Sequence, residues 1–409
     1  MRYAAGLLLL AAVCGCGTES EVTEPVATKT AAAAAEASYT IVKFSASLGG
    51  TLSRGMAINR RGLVAGWSDQ ADGSRRAVLW RNGAIRSLGT LGGPSSTVPW
   101  PGLNNHAMVV GISQTNRVDP LDEAWSCELG GFLLETTNLI CRGFVWSQGR
   151  MRSLRPLPGG NHSFAAGVNN RGQIVGWAEN GVHDPTCVDD QVLRFRAALW
   201  ELKDGIGGAI RLRQLRPYAE HATSAATAIN NKGVAVGISG DCDQGVGRFS
   251  ALEAVRWDEN GEPSVIPNLG GTTWHTPMDI NESGDVVGFS NPPGPGDPEG
   301  EFIAHAFYWA DGAGTATDIG TLDGDPLSEA FAINAHGQVV GISFGGAAGA
   351  RAFLWHQGQL TDLNNLVETD DVLLSAQDIN DDGQITGRLR DAVTGQTLAF
   401  VATPSSETP

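Results

Sequence analysis

One short phrase, Ile-Asn-x-x-Gly-x-x-x-Gly, recurs along this chain and constrains its fold more than any other feature. It starts at Ile58, Leu103, Val168, Ile229, Ile280, Ile333 and Ile379, seven times, with Asn-to-Asn steps of 45, 65, 61, 51, 53 and 46 residues. Only the second copy departs, with Ala107 where the first Gly belongs. Self-similarity at this period means one supersecondary unit used again and again. Two further phrases travel with the first. One ends in Trp80, Trp146, Trp200, Trp257, Trp309 and Trp355, as in Ala77-Val78-Leu79-Trp80, and its seventh copy, Ala399-Phe400-Val401-Ala402, lacks the Trp. The other is Leu-Gly-Thr-Leu-Gly-Gly or a relative, clear at Leu88–Gly93 and Ile319–Gly324.

Each phrase has a physical meaning. Ile-Asn-x-x-Gly is an apolar strand end entering a hairpin, where Asn bonds its own backbone and Gly takes a left-handed position. The β-branched run after it, as in Gln338-Val339-Val340-Gly341, is the return strand. Trp-x-Asn-Gly, as in Trp80-Arg81-Asn82-Gly83, signals a second hairpin. A unit therefore has four strands: a into Ile-Asn, b after it, c ending in Trp, and d toward Leu-Gly-Gly. Repeated four-stranded antiparallel units of this length are what a β-propeller needs. The small residues of strand a, such as Ala165-Ala166-Gly167, suit the crowded centre, and Arg86, Arg152, Arg211 and Arg213 on strand d suit an outer edge.

The chain ends point to a ring. Residues 39–50 read as a lone strand d, and the last unit stops after strand c. The expected fold is thus an all-β, seven-bladed β-propeller spanning 39–403, closed by the N-terminal strand completing the last blade, with 404–409 as a tail. Composition agrees. The 54 glycines are turn punctuation, 42% hydrophobic residues exclude a disordered chain, and a net charge of −16 excludes a nucleic-acid binder.

Residues 1–16 form a different element. One Arg precedes a short apolar run, and Val13-Cys14-Gly15-Cys16 resembles the lipobox of bacterial lipoproteins. Cys16 is the expected lipidation site, because small Gly15 precedes it, and Gly17 resembles the outer-membrane sorting pattern. Residues 17–38 are a low-complexity Ala/Thr/Glu tether. The expected location is the bacterial outer membrane or cell surface, with the lipid as the only membrane contact; plain secretion is the alternative.

The repeat phrases as a set, with the triplet His305-Ala306-Phe307 and the ending Leu363 to Phe400, resemble the HAF-repeat extracellular proteins of bacteria. That resemblance implies an exported repeat protein and carries over no active-site residue.

The b–c connections of units two to five are long, and long connections are where function concentrates. They hold Cys127, Cys141, Cys187 and Cys242, for which exported location favours disulfides Cys127–Cys141 and Cys187–Cys242 over a metal site. They also hold Asp119, Asp122, Glu123, Trp125, Asp184, Asp189, Asp190, Asp241, Asp243, Asp297, Glu299 and Glu301. A solvated surface explains such acids; a ligand face for a cation or basic partner is the sharper reading. His162, His221 and His275 precede strand a in successive units and are weak metal candidates. Asp378-x-Asn380-x-Asp382 begins like a calcium loop, but Leu389 stands where its Glu belongs, so a turn is expected. No cofactor is expected, calcium being the exception to watch. The Trp series reads as core. The expected function is non-catalytic binding of a protein or glycan by a monomer through the long b–c connections. The alternative is a glycan-active enzyme at the channel mouth, with Asp279, Asp378 and the three histidines, His162, His221 and His275, as its candidates.

Overall fold

A computed structural model describes residues 39–44, 48–123, 133, 137–187, 191–243 and 247–405. The fold is all-β, with a few short 3-10 turns between strands. Five sheets have four antiparallel strands each, in the sequence order a-b-c-d. One example runs Gly159–Val168, Gln173–His183, Leu193–Leu202, Ile210–Gln214. A sixth sheet has eight strands and is mixed. It consists of two groups joined by one parallel pair, Leu52–Thr397. One group holds the strands of the first unit. The other holds Val372–Ile379, Ile385–Arg390 and Thr397–Pro404, with Tyr39–Lys43 beside the last. That pairing is antiparallel, in register from Tyr39–Pro404 to Lys43–Phe400, one residue beyond the expected domain end at 403.

The recurrent phrases explain themselves in this frame. In six units strand a slips register shortly before its Asn, as between Ala165 and Gly167. Such bulges bend a strand and leave one residue unpaired. The second Gly of the phrase sits opposite the bend. A Cβ on Gly66, Gly176 or Gly387 would stand 1.9–2.0 Å from the carbonyl oxygen of Arg54, Phe164 or Ser375. No other residue fits there.

A Ser near the start of strand a ties neighbouring units. The Oγ atoms of Ser53, Ser96, Ser163, Ser224 and Ser328 accept the N–H of Ala399, Ala77, Gly143, Ala197 and Ala306, at 2.8–3.1 Å. Those donors open the strand-c phrase. A second Ser, on strand b, accepts from the d–a link: Ser113 from Leu91, Ser290 from Leu269 and Ser343 from Leu322. The Trp series is core, as expected: Trp80, Trp200 and Trp257 are at most 1% exposed. Trp200 Nε1 donates to the Arg155 carbonyl at 2.9 Å, and Trp257 Nε1 to that of Arg216 at 2.6 Å. These two buried indoles thus pair their only donor, whereas Trp80 Nε1 makes no hydrogen bond.

Candidate functional site

The seven Asn turns meet around one cavity. In every copy Asn Oδ1 accepts two or more backbone N–H groups of its own turn; for Asn59 these are Arg61 at 3.0 Å and Leu63 at 3.2 Å. That leaves Nδ2 free to reach outward. Asn59 donates to the carbonyl of Asn104, Asn104 to Asn169, Asn169 to Asn230 and Asn230 to Asn281, at 2.9–3.1 Å. Asn281 donates to Asn334 at 3.4 Å, Asn334 to Asn380 at 3.1 Å, and Asn380 to Asn59 at 3.1 Å, where the series began. The following residues form a second, broken series. Backbone N–H groups of Arg60, Asn105, Asn170, Asn231 and Ala335 donate to side-chain oxygens of Asn105, Asn170, Asn231, Glu282 and Asp381. The Arg60 guanidinium also holds Asp381. The Asp378-x-Asn380-x-Asp382 segment is one of these seven turns, with Asn380 Oδ1 accepting from Asp382 and Gln384.

The cavity inside these turns has a volume of about 200 Å³ and is lined by the ends of strand a from all seven units. Met278 in its wall belongs to the largest hydrophobic cluster, with Trp100, Phe164 and Phe331. Glu282 and Asp381 of the turns line it, and so do two carboxyls of strand a, Asp279 and Asp378. They occupy the position two before Asn, where the other units have Ala57, Gly102, Gly167, Ala228 and Ala332. Asp279 accepts from its neighbour Ile280 at 2.8 Å and from Ile333 of the next sheet at 2.9 Å. Asp378 accepts from Ile379 at 2.8 Å and from Ile58 at 2.7 Å. Burial pushes Asp279 up to about 6. Burial, with the charge of Asp279, pushes Asp378 up to about 8. At neutral pH Asp378 holds its proton and donates, while Asp279 is mostly ionised and accepts. Among the described residues the lining has no His, Cys, Ser or Lys.

The long b–c connections revise the sequence expectation. Asp119, Glu123, Asp184, Asp243 and Asp297 point inward, each at most 3% exposed. Asp297, for instance, accepts from Thr272, Thr273 and Asn291. Asp184 accepts from Thr186 and Arg194, and these bonds outweigh burial and hold it at about 2. Acids in long connections serve as internal staples because the backbone there has no ladder partners. Asp122, Asp241, Glu299 and Glu301 remain exposed. Cys16, Trp125, Cys127, Asp189 and Asp190 lie outside the described residues.

The three histidines do not converge. His221 Nδ1 bonds Ser239 at 3.0 Å, and His275 bonds Ser290 at 2.8 Å and the Gly271 carbonyl at 3.1 Å. Burial pushes His275 down to about 4. His162 sits among carboxyls of the second and third sheets. Among the described residues the donor trio close enough for a metal ion is Asp184, Cys187 and Cys242, and its two sulfurs form the expected disulfide. Cys141 is also disulfide-bonded. The Cys187–Cys242 bridge spans 55 residues and joins connections of neighbouring sheets. Its removal by Cys187→Ser with Cys242→Ser is expected to cost about 2 kcal/mol in urea unfolding, through a freer unfolded chain. An unchanged midpoint would show that these connections are held by their staples alone.

No family model and no curated protein matches the chain. Solved structures with similar folds include an oligogalacturonate lyase in complex with manganese, at 12% identity and TM-score 0.48, covering 90% of this chain and 97% of the lyase. A virginiamycin B lyase from Staphylococcus aureus matches at 11% identity and TM-score 0.46, over 90% of this chain and all of the lyase. A puromycin-hydrolysing peptidase from Mycobacterium tuberculosis matches at 12% identity and TM-score 0.45, over 89% of this chain. The chain spans about half, 55%, of that peptidase. At such identities these likenesses bring no residue roles to this chain.

Proposed function

We propose that the chain is a seven-bladed propeller of the HAF-repeat kind, closed by Tyr39–Lys43 and carried on a lipid at Cys16. We propose further that it binds the end of a glycan in its axial cavity. The observation that carries the binding assignment is the pair Asp279 and Asp378, the two positions where five units have Ala or Gly. A protonated Asp378 beside an ionised Asp279 matches sugar hydroxyls, which need donors and acceptors side by side. About 200 Å³ suits one sugar unit. The long connections are the weaker candidate, because five of their acids are already spent on internal bonds.

The test is a glycan array on the full chain, followed by titration calorimetry on each hit. Asp378→Ala and Asp279→Ala install the residue other units use, so the fold is retained. Each is expected to weaken binding at least about tenfold, the worth of one lost charge-assisted hydrogen bond. Affinity should also fall as pH rises past about 8, where Asp378 loses its donor proton. Equal affinity in the double variant would remove the cavity from the binding site. One observation favours a second reading, glycan cleavage. Asp279 at about 6 and Asp378 at about 8 differ in the way an acid and base pair does. New reducing or unsaturated ends, made by the wild type and not by the double variant, would select it.

A further inference from the structure

Away from the axial cavity, the second and third sheets meet over four buried titratable side chains. Asp119 and Glu123 follow the b strand Val109–Val118, while His162 and Glu179 lie on Gly159–Val168 and Gln173–His183. Their exposures are 3%, 0%, 1% and 1%. Asp119 accepts from Leu121 and Asn161, each at 3.2 Å, and from the N–H of Glu123 at 2.5 Å. Its Oδ2 stands 3.2 Å from His162 Nε2. His162 Nδ1 accepts the Cys141 N–H at 3.1 Å, so the ring proton sits on Nε2, toward Asp119. Glu179 Oε2 accepts from Asn161 at 3.0 Å and from the His162 N–H at 2.8 Å. Glu123 Oε1 takes the N–H groups of Val192 and Leu193, crossing to the third sheet's long connection.

Two oxygens are left over. Glu123 Oε2 and Glu179 Oε1 are buried and make no hydrogen bond. The charges facing Glu179 besides Asp119, Glu123 and His162 are those of Arg142 and, acting on Arg142, Arg117. Against burial, the surrounding carboxyls push the His162 imidazole up, but Nδ1 is taken by the Cys141 N–H and has no room for a second proton. The ring thus stays neutral, and the three carboxylates carry more negative charge than a single flanking cation balances. Protons are the remaining source of neutrality.

We propose that this quartet is a proton-operated clasp, in which Glu123 and Glu179 each take a proton from solvent as the long connections of the second and third sheets lock together. Losing those protons puts repelling carboxylates at the only point where Glu123 grips Val192 and Leu193, and the grip loosens. Burial and the charge of Glu179 push Glu123 up to about 7, and burial pushes Glu179 up as well. Both are raised above the unfolded value of about 4.5, so their stabilising contribution is full below it and is lost as pH rises through about 7.

Hydrogen exchange of the full chain, corrected for the intrinsic rate, reads this directly. From pH 5.5 to 8.5 the opening of Val192 and Leu193 should rise on the order of tenfold, while amides of the Asn turns hold steady. Glu123→Gln with Glu179→Gln mimics the protonated pair and should abolish the pH dependence. No dependence in the wild type, or the same dependence in the double variant, overturns the clasp. Repeating the wild-type series with EDTA separates protons from a metal. Loss of protection at pH 5.5 on chelation would mean that a bound cation, not a proton, neutralises the quartet.

Discussion

Replacing Tyr39–Phe44 by a Gly/Ser stretch of equal length should cost the chain more than about 5 kcal/mol, enough to unfold an ordinary domain. The expectation sums three losses. Tyr39 and Phe44 are each 7% exposed, and burying an aromatic of this size contributes about 2–3 kcal/mol. Phe44 stacks on Trp80 of the first unit at 5.5 Å, and its N–H donates to Ala399 of the last at 2.7 Å. The strand therefore touches both ends of the chain. Its five-residue ladder covers Phe400–Pro404, and without it that stretch becomes an open edge. Urea unfolding, with circular dichroism and tryptophan emission as probes, is the measurement. Lys43→Ala is the control. Lys43 reaches Asp371 and Asp391 but is 39% exposed, so a loss under about 1 kcal/mol is expected. Adding a peptide of residues 39–50 should restore part of the loss. An unchanged midpoint in the replaced chain would mean that the ring is held without this strand, and the closure proposal would fall.

Which features were visible in the sequence follows from which were periodic. Four-strand units, the Asn turns and the buried Trp series repeat, and repetition separates a structural position from an accidental one. The inter-unit serines repeat as well: Ser53, Ser163, Ser224 and Ser328 all stand six residues before their Asn. Their signal was readable, but Ser in a small-residue strand does not announce a bond to another unit. The cavity carboxyls were legible as exceptions, Asp where the series has Ala or Gly. What sequence could not reveal is direction. Asp119 and Asp122 are three residues apart, yet one is 3% exposed and the other exposed to solvent. Irregular connections have no period to assign a face, so an acidic surface and an acidic staple look alike. The same holds for the histidines, which precede strand a in successive units yet make local bonds.

The ring of Asn side chains should behave as one object, and Asn380→Ala tests that. The substitution orphans the N–H groups of Asp382 and Gln384 and takes one of two donors from the Asn59 carbonyl, which keeps the Gly62 N–H. Three such losses at a half-buried turn amount to about 3 kcal/mol. Asn380→Asp keeps the two acceptor bonds, loses the donor and sets an oxygen against the Asn59 carbonyl, so about 1–2 kcal/mol is expected. Asn169→Ala removes the same chemistry elsewhere. Its outgoing bond spans 61 residues, whereas that of Asn380 spans 321. The difference matters because a contact of long sequence separation restrains far more chain than a local one. Asn169→Ala should therefore raise hydrogen exchange only in its own and the following sheet. Asn380→Ala should raise it at both chain ends together, in Gly49–Ile58 and in Val372–Ile379. Combining Asn380→Ala with the replaced N-terminal strand supplies the decisive comparison. If both act on one seam, the second change adds much less than it does alone, since an opened ring has no closing bond left to lose. Full additivity would mean that the Asn380–Asn59 bond and the Tyr39–Lys43 ladder stabilise separate parts of the molecule.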